Sequence, residues 1–460
     1  MDDDLALFPN PLADDGGNVT VYQLDTNQNW VKLTSIVSDD TDVGDRFGNS
    51  VAIDDETIVV GSVSNDTDGI NSGAAFVFER TSQDSWTQTQ RLSPDDAAQF
   101  LNFGSAVSVS GDHMIVGAIN AEDAGSLTGA AYIFERDSSG DWQQVSRLTA
   151  PAPTAGAFFG GYVDVSGDTA IVGDNNEAVY VYERQSDGSW TFHSTLQGDE
   201  AADVTYFGRS LAIDNDQIVV GAEGDSEIGY STGAVYVYDR DAEGNWNQSA
   251  KLFAGDPGET DAFGATLGLS GNRIVVGAPG NDDLGADSGS AYLFERQSDG
   301  SWSQRLKLLP SDGGILDGFG RVAISSEQVF VGSSVTTDVV NGTRVGVGYA
   351  YDVSLQPRVL EQYVENSGPV GLIETPFAAQ VMPTMPSCLR PPFSLEMVSA
   401  CRRTFWRSQE IFQRELPATT TPRPDVNAER ATSSADSHRR QLSDVGTSAI
   451  IHPADRELII

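Results

Sequence analysis

Through the first 353 residues, short apolar runs alternate residue by residue with polar ones and recur at a fixed distance. In AAFVFER (74–80), Phe76 and Phe78 fall on one face and Val77 on the other, the period-two signature of a strand. The run returns as AAYIFER (130–136), AVYVYER (178–184), AVYVYDR (234–240) and SAYLFER (290–296). Ahead of it, two apolar segments flank a tight turn: SGDH at 110–113, SGDT at 166–169 and SGNR at 270–273. This arrangement predicts a β-hairpin. After it, a fourth run starts at tryptophan, is rich in Gln, Ser and Thr, and ends in Arg-Leu or Lys-Leu. Arg91, Arg147, Lys251 and Lys307 there suit an outermost strand whose basic side chains discourage edge-to-edge pairing.

The unit is phased by two aromatic markers. Phe-Gly occurs at 47–48, 103–104, 159–160, 207–208, 263–264 and 319–320, with spacings of 56, 56, 48, 56 and 56. Trp30, Trp86, Trp142, Trp190, Trp246 and Trp302 each lie 17 residues before a Phe-Gly. Four antiparallel strands repeated at this period are a propeller blade. One blade leaves both sheet faces bare, so blades must stack around an axis. The fixed Phe and Trp positions then place one large ring per blade between neighbouring sheets. The short third unit loses its eight residues from the loop after IVG, which leaves the strands intact.

Counting the runs, with NVTVYQL (18–24) and VGYAYDV (347–353) as further third strands, predicts about 25 strands. Six blades need 24, with the Trp30 strand closing the last sheet; seven need 28 and leave three missing. The expected fold is therefore an all-β propeller of six or seven blades, incompletely closed in the second case, over 18–353. An acidic segment precedes it at 1–17.

Composition changes at the end of the array. The chain has 460 residues and a net charge of −40; residues 354–460 carry 11 Arg, no Lys and 12 acids, so nearly all the charge lies in the propeller. The Pro-, Ser-, Thr- and Arg-rich tail reads as mostly disordered, with a helix at 394–416. Strong acidity argues against nucleic acid and anionic membranes as partners. No apolar run reaches the ~18–20 residues of a membrane span. MDDDLALFPNPL has no basic n-region and does not read as a signal peptide. Cys388 and Cys401 exclude a disulfide-rich scaffold.

Taken together, Phe-Gly, the IVVGA-type strands, the GAxYVY-type strands and the single Gly277-Ala278-Pro279 resemble the FG-GAP repeat family, whose repeats also form the propeller of integrin α chains. The resemblance covers 18–353. It implies seven blades, a secreted or cell-surface location, and a role in adhesion or protein recognition. In integrins some blades hold calcium in an acidic loop between the first two strands. Here those turns are DDET, SGDH, SGDT, DNDQ, SGNR and SSEQ, too short to wrap an ion.

Acidic residues gather instead between strands two and three. Asn65, Asp66 and Asp68, and Asn281, Asp282, Asp283 and Asp287, are the candidate calcium ligands, since alternate oxygen donors with a glycine suit a hard cation. Asp39, Asp40, Asp42 and Asp45 form a second acidic set before Phe-Gly; solvated turn chemistry is the favoured reading of both sets, since Asp, Asn and Gly dominate turns, with weak calcium binding the alternative. His113 and His193 read as surface residues. Sequons occur at Asn18, Asn65, Asn247 and Asn341. No nucleophile elbow, zinc or phosphate-loop motif is present. The expected function is non-enzymatic binding of protein or glycan through loops 62–72, 118–128, 222–232, 278–288 and 333–345. The alternatives are a propeller enzyme acting on polysaccharide, using one of many acidic pairs, or a truncated fragment of a surface protein.

Overall fold

The computed structural model describes residues 4–352, apart from 14–15, 27–28, 83–84, 123–126, 199–204, 312 and 338–343, together with 359–364. Its strands form seven antiparallel sheets, six of four strands and one of three, and there is no helix among the described residues. The blades span 5–36, 47–92, 103–148, 162–196, 211–252, 266–308 and 319–364.

The first strands lie innermost. Phe47–Asp54 packs beside Phe103–Ser110, which packs beside Tyr162–Ser166, and so on to Phe319–Ile324. Each hydrophobic core lies between two blades, not within one. Val59, Ala75 and Val77 of blade 2 share a cluster with Phe103, Tyr132 and Phe134 of blade 3. The predicted role of the Phe-Gly ring holds: all six are buried, and Phe103 meets Tyr132 edge-on at 5.6 Å between centroids. The ring closes where blade 7 meets blade 1. Phe330 lies 4.7 Å from Trp30 and 5.7 Å from Phe8, with Tyr22 and Ala350 in the same cluster.

Two strands correct the predicted boundaries and the strand count. Leu5–Asn10, within the expected acidic segment, pairs with Asn18–Leu24 and makes blade 1 a sheet of its own. Val359–Val364 lies past the expected end and completes blade 7, so the Trp30 strand does not. Six blades are thereby excluded. LALFPN and VLEQYV keep none of the repeat's marker residues; ring packing and ladder bonds define them as strands. Otherwise the expected tail, with its helix and both cysteines, lies outside the described residues, as does Asn341.

Glycine does specific work at the blade seams. A Cβ at Gly117, on the second strand of blade 3, would overlap the carbonyl oxygen of Gly160, on the Phe-Gly of blade 4. Only glycine lets the two backbones approach this closely.

The outer strands carry a second regularity. In blades 1–6 the pairing of strands three and four slips by one residue at the same place, leaving Leu33, Thr89, Val145, His193, Ser249 and Arg305 unopposed. A bulge there twists the exposed edge away from further pairing.

Candidate functional site

The Glu-Arg or Asp-Arg pair near the end of the third strand in blades 2–6 links successive blades. Glu79 meets Arg136 at 2.6 Å, Glu135 meets Arg184 at 2.6 Å, Glu183 meets Arg240 at 2.5 Å and Asp239 meets Arg296 at 2.6 Å. Hydrogen bonding from Arg184 holds Glu135 below the usual carboxylate range. Arg136, Arg240 and Arg296 also lie over the tryptophan of their own blade, at 5.8–6.0 Å. His113 stacks edge-on against Trp190 at 5.6 Å and lies 3.8 Å from Glu135; His193, 3.9 Å from Glu183, sits on its strand's bulge. These histidines belong to the seams of different blades and form no shared site.

The opposite end carries the loops between strands two and three and those leading from strand four to the next blade. Asn65 is buried there. Its amide donates to Asp45 Oδ2 at 2.9 Å, and its oxygen accepts from Arg91 at 3.0 Å. Burial raises Asp45 above its ordinary value, against the hydrogen bonds from Asp42 and Asn65. Asp68 pairs with Arg91 at 2.8 Å, and Asp66 accepts the Asn71 N–H at 2.6 Å. Blade 6 repeats the design. Asn281 donates to Asp261 at 3.1 Å, Asp282 accepts the Asp287 N–H at 2.9 Å, and Asp283 meets Lys307 at 2.7 Å.

Asn65, Asp66, Asp68, Asn281, Asp282 and Asp283 are thus engaged in loop struts, turn caps and ion pairs, and Asp287 takes part through its N–H. Among the described residues no three His, Cys, Asp or Glu side chains gather as a metal site. The donors as arranged do not fit a calcium ion, because Arg91 and Lys307 already supply the positive charge. These basic residues do more than guard an edge. Each is the next-to-last residue of its strand, which places it beside the loop carboxylates. Burial alone would lower Lys307, but Tyr292 and the carboxylates of Asp256 and Asp283 outweigh it and raise its pKa.

The same end is unusually apolar. Among the described residues fourteen large apolar side chains are exposed, and eleven belong to these loops: Leu12, Val37, Val43, Ile70, Phe100, Tyr206, Ile228, Tyr230, Leu284, Ile315 and Leu316. The other three, Val31, Val145 and Phe192, lie on outer strands. None lies in the described residues of the hairpins at the far end. Phe100 (φ 62°) and Leu316 (φ 66°) sit in the left-handed region three residues before Phe-Gly, where blades 2 and 4 carry Gly44 and Gly156. Bulky residues are rare there and cost of order 1 kcal/mol or more. Sequence reading found the strand-two-to-three loops but missed this apolar set, because no position is apolar in every blade: Val43 and Ile315, Phe100 and Leu316, Ile70 and Tyr230, and Ile228 and Leu284 share repeat positions only in pairs.

The family model for the FG-GAP repeat matches residues 30–78, 86–134, 142–184, 190–238 and 246–294. No curated protein matches the chain. Among solved structures, a protein from Lactobacillus plantarum is similar at a TM-score of 0.52 and 15% identity, over 78% of this chain and 95% of that one. At that identity the likeness concerns the fold alone.

Proposed function

Because the chain belongs to the FG-GAP repeat family, we propose that it is a non-enzymatic binding module that works outside the cell or at its surface. It holds a protein or glycan ligand against the loop end of the propeller. The observation that carries this reading is the segregation of exposed apolar side chains to that end. Exposed apolar side chains concentrated at one end of a fold favour an interaction site there. Strained, exposed Phe100 and Leu316 add to it, since backbone strain concentrates at functional positions. The seven blades provide a rigid frame, so loops can vary without loss of fold. No helix among the described residues is long and apolar enough to cross a membrane.

The test is a binding screen of the full chain against panels of extracellular proteins and glycans, repeated with Phe100→Ser, Tyr230→Ser and Ile315→Ser combined. The triple variant should keep the wild-type Tm and lose at least tenfold in affinity for any hit. Hits that bind the triple variant as tightly as wild type would refute the loop surface.

A further inference from the structure

Blade 4 breaks a pattern that its neighbours share. In blades 3, 5 and 6 the first aromatic of strand three is a tyrosine with no exposed surface: Tyr132, Tyr236 and Tyr292. Directly opposite on the ladder stands a basic residue of strand four, namely Arg147, Lys251 or Lys307. Its cation lies over the ring, at 5.8, 4.8 and 5.3 Å from the centroid. A loop carboxylate completes each socket: Asp96 with Arg147 at 3.0 Å, Asp225 with Lys251 at 3.0 Å, Asp256 with Lys307 at 2.7 Å.

Blade 4 keeps the ring and the carboxylate but not the cation. Tyr180 donates to Asp174 Oδ2 at 3.1 Å, as Tyr236 donates to Asp225 at 3.0 Å in the next blade. Asp174 is fully buried, yet the residue facing Tyr180 across the ladder is the exposed Thr195. The other donors to Asp174 are neutral: the N–H groups of Asn176 and Ala178, and the Asn176 amide at 3.3 Å. Burial raises Asp174 above its ordinary value. Tyr180, lacking a covering side chain, is partly exposed.

We propose that the Tyr180–Asp174 socket binds the ammonium group of a lysine side chain presented by a partner protein. The chemistry is that of the sister sockets: a ring face attracts the cation and one carboxylate neutralises it. A single carboxylate with an aromatic wall suits an alkylammonium better than a hard metal ion, which needs six or more oxygens. The socket lies on the loop end, so the partner's identity as a protein rests on the proposed function. A free lysine derivative tests the socket without that surface, and the two readings fail separately.

The experiment is thermal unfolding of the full chain with N-acetyl-lysine methylamide at ~50 mM, ionic strength matched with KCl. The uncharged N-acetyl-norleucine methylamide is the control. Wild type should gain about 1 °C with the lysine derivative and nothing with the control. Thr195→Lys, which fills the socket as Lys251 does, should melt higher than wild type without ligand and no longer respond. An equal response of wild type and Thr195→Lys, an equal response to both derivatives, or no response from wild type would each overturn the proposal.

Discussion

Asp164 shows how a single carboxylate responds to the architecture. It lies on the inner strand of blade 4 and accepts hydrogen bonds from Ser108 of blade 3 at 2.6 Å and from the Ile213 N–H of blade 5 at 2.9 Å. Burial pushes its pKa up to about 6, against those hydrogen bonds and with Asp214 nearby. The folded state therefore holds this proton more tightly than the unfolded chain, whose Asp titrates near ~3.9. By linkage, Asp164 is neutral and costs nothing below about pH 4, and its cost grows as pH rises to about 6. Relative to Asp164→Asn, wild type should lose ~1–3 kcal/mol between pH 4 and pH 7, read from urea midpoints. A constant difference across that range would show that the carboxylate stays ionised in the fold.

At the scale of strands and turns, one residue type does opposite work at two places. Gly111 opens a hairpin turn at φ 58°, with open space where a Cβ would go. Asp55 and Asn215 fill the equivalent turns at φ 49° and 51°. Gly111→Asn should change stability by less than ~0.5 kcal/mol, because Asn tolerates the left-handed region. Gly117→Ala should cost ~3 kcal/mol or more, since its methyl overlaps the next blade's backbone. Denaturant unfolding of both variants separates turn from seam. The Glu-Arg relay contributes less per link. Glu135→Gln should cost only about 0.5–1 kcal/mol, because its pair with Arg184 is partly solvated.

For the whole molecule, the decisive contact is the seam between blades 7 and 1. Phe330, buried against Trp30 and Phe8, joins residues some three hundred positions apart in the chain. Phe330→Ala should cost ~3–4 kcal/mol, as much as Phe263→Ala within the array. A cost under ~1 kcal/mol by urea unfolding would mean that this seam contributes little and the ring is open.

The repeat determined most of the fold by itself. Phe-Gly phasing, alternating strands and αL-tolerant turn residues are local features, and together they specified the four-stranded unit and its bare faces. Blade number was not local. Leu5–Asn10 and Val359–Val364 lack the repeat's markers, and only packing around the axis identifies them as strands of the ring. The loop end followed from the repeat, as each unit places its second-to-third loop alike. The fate of its acidic residues did not. Asp68 and Asp283 have the spacing of cation ligands, but Arg91 and Lys307, more than twenty residues on, reach them across the blade. The missing cation of blade 4 is legible in sequence as Thr195, five residues after Trp190, where Arg147, Lys251 and Lys307 follow their tryptophans; that Thr195 faces the Tyr180 ring beside the Asp174 carboxylate is decided by the tertiary structure. Strand formation and turn geometry depend on neighbours in sequence, whereas charge compensation and ring closure depend on neighbours in space.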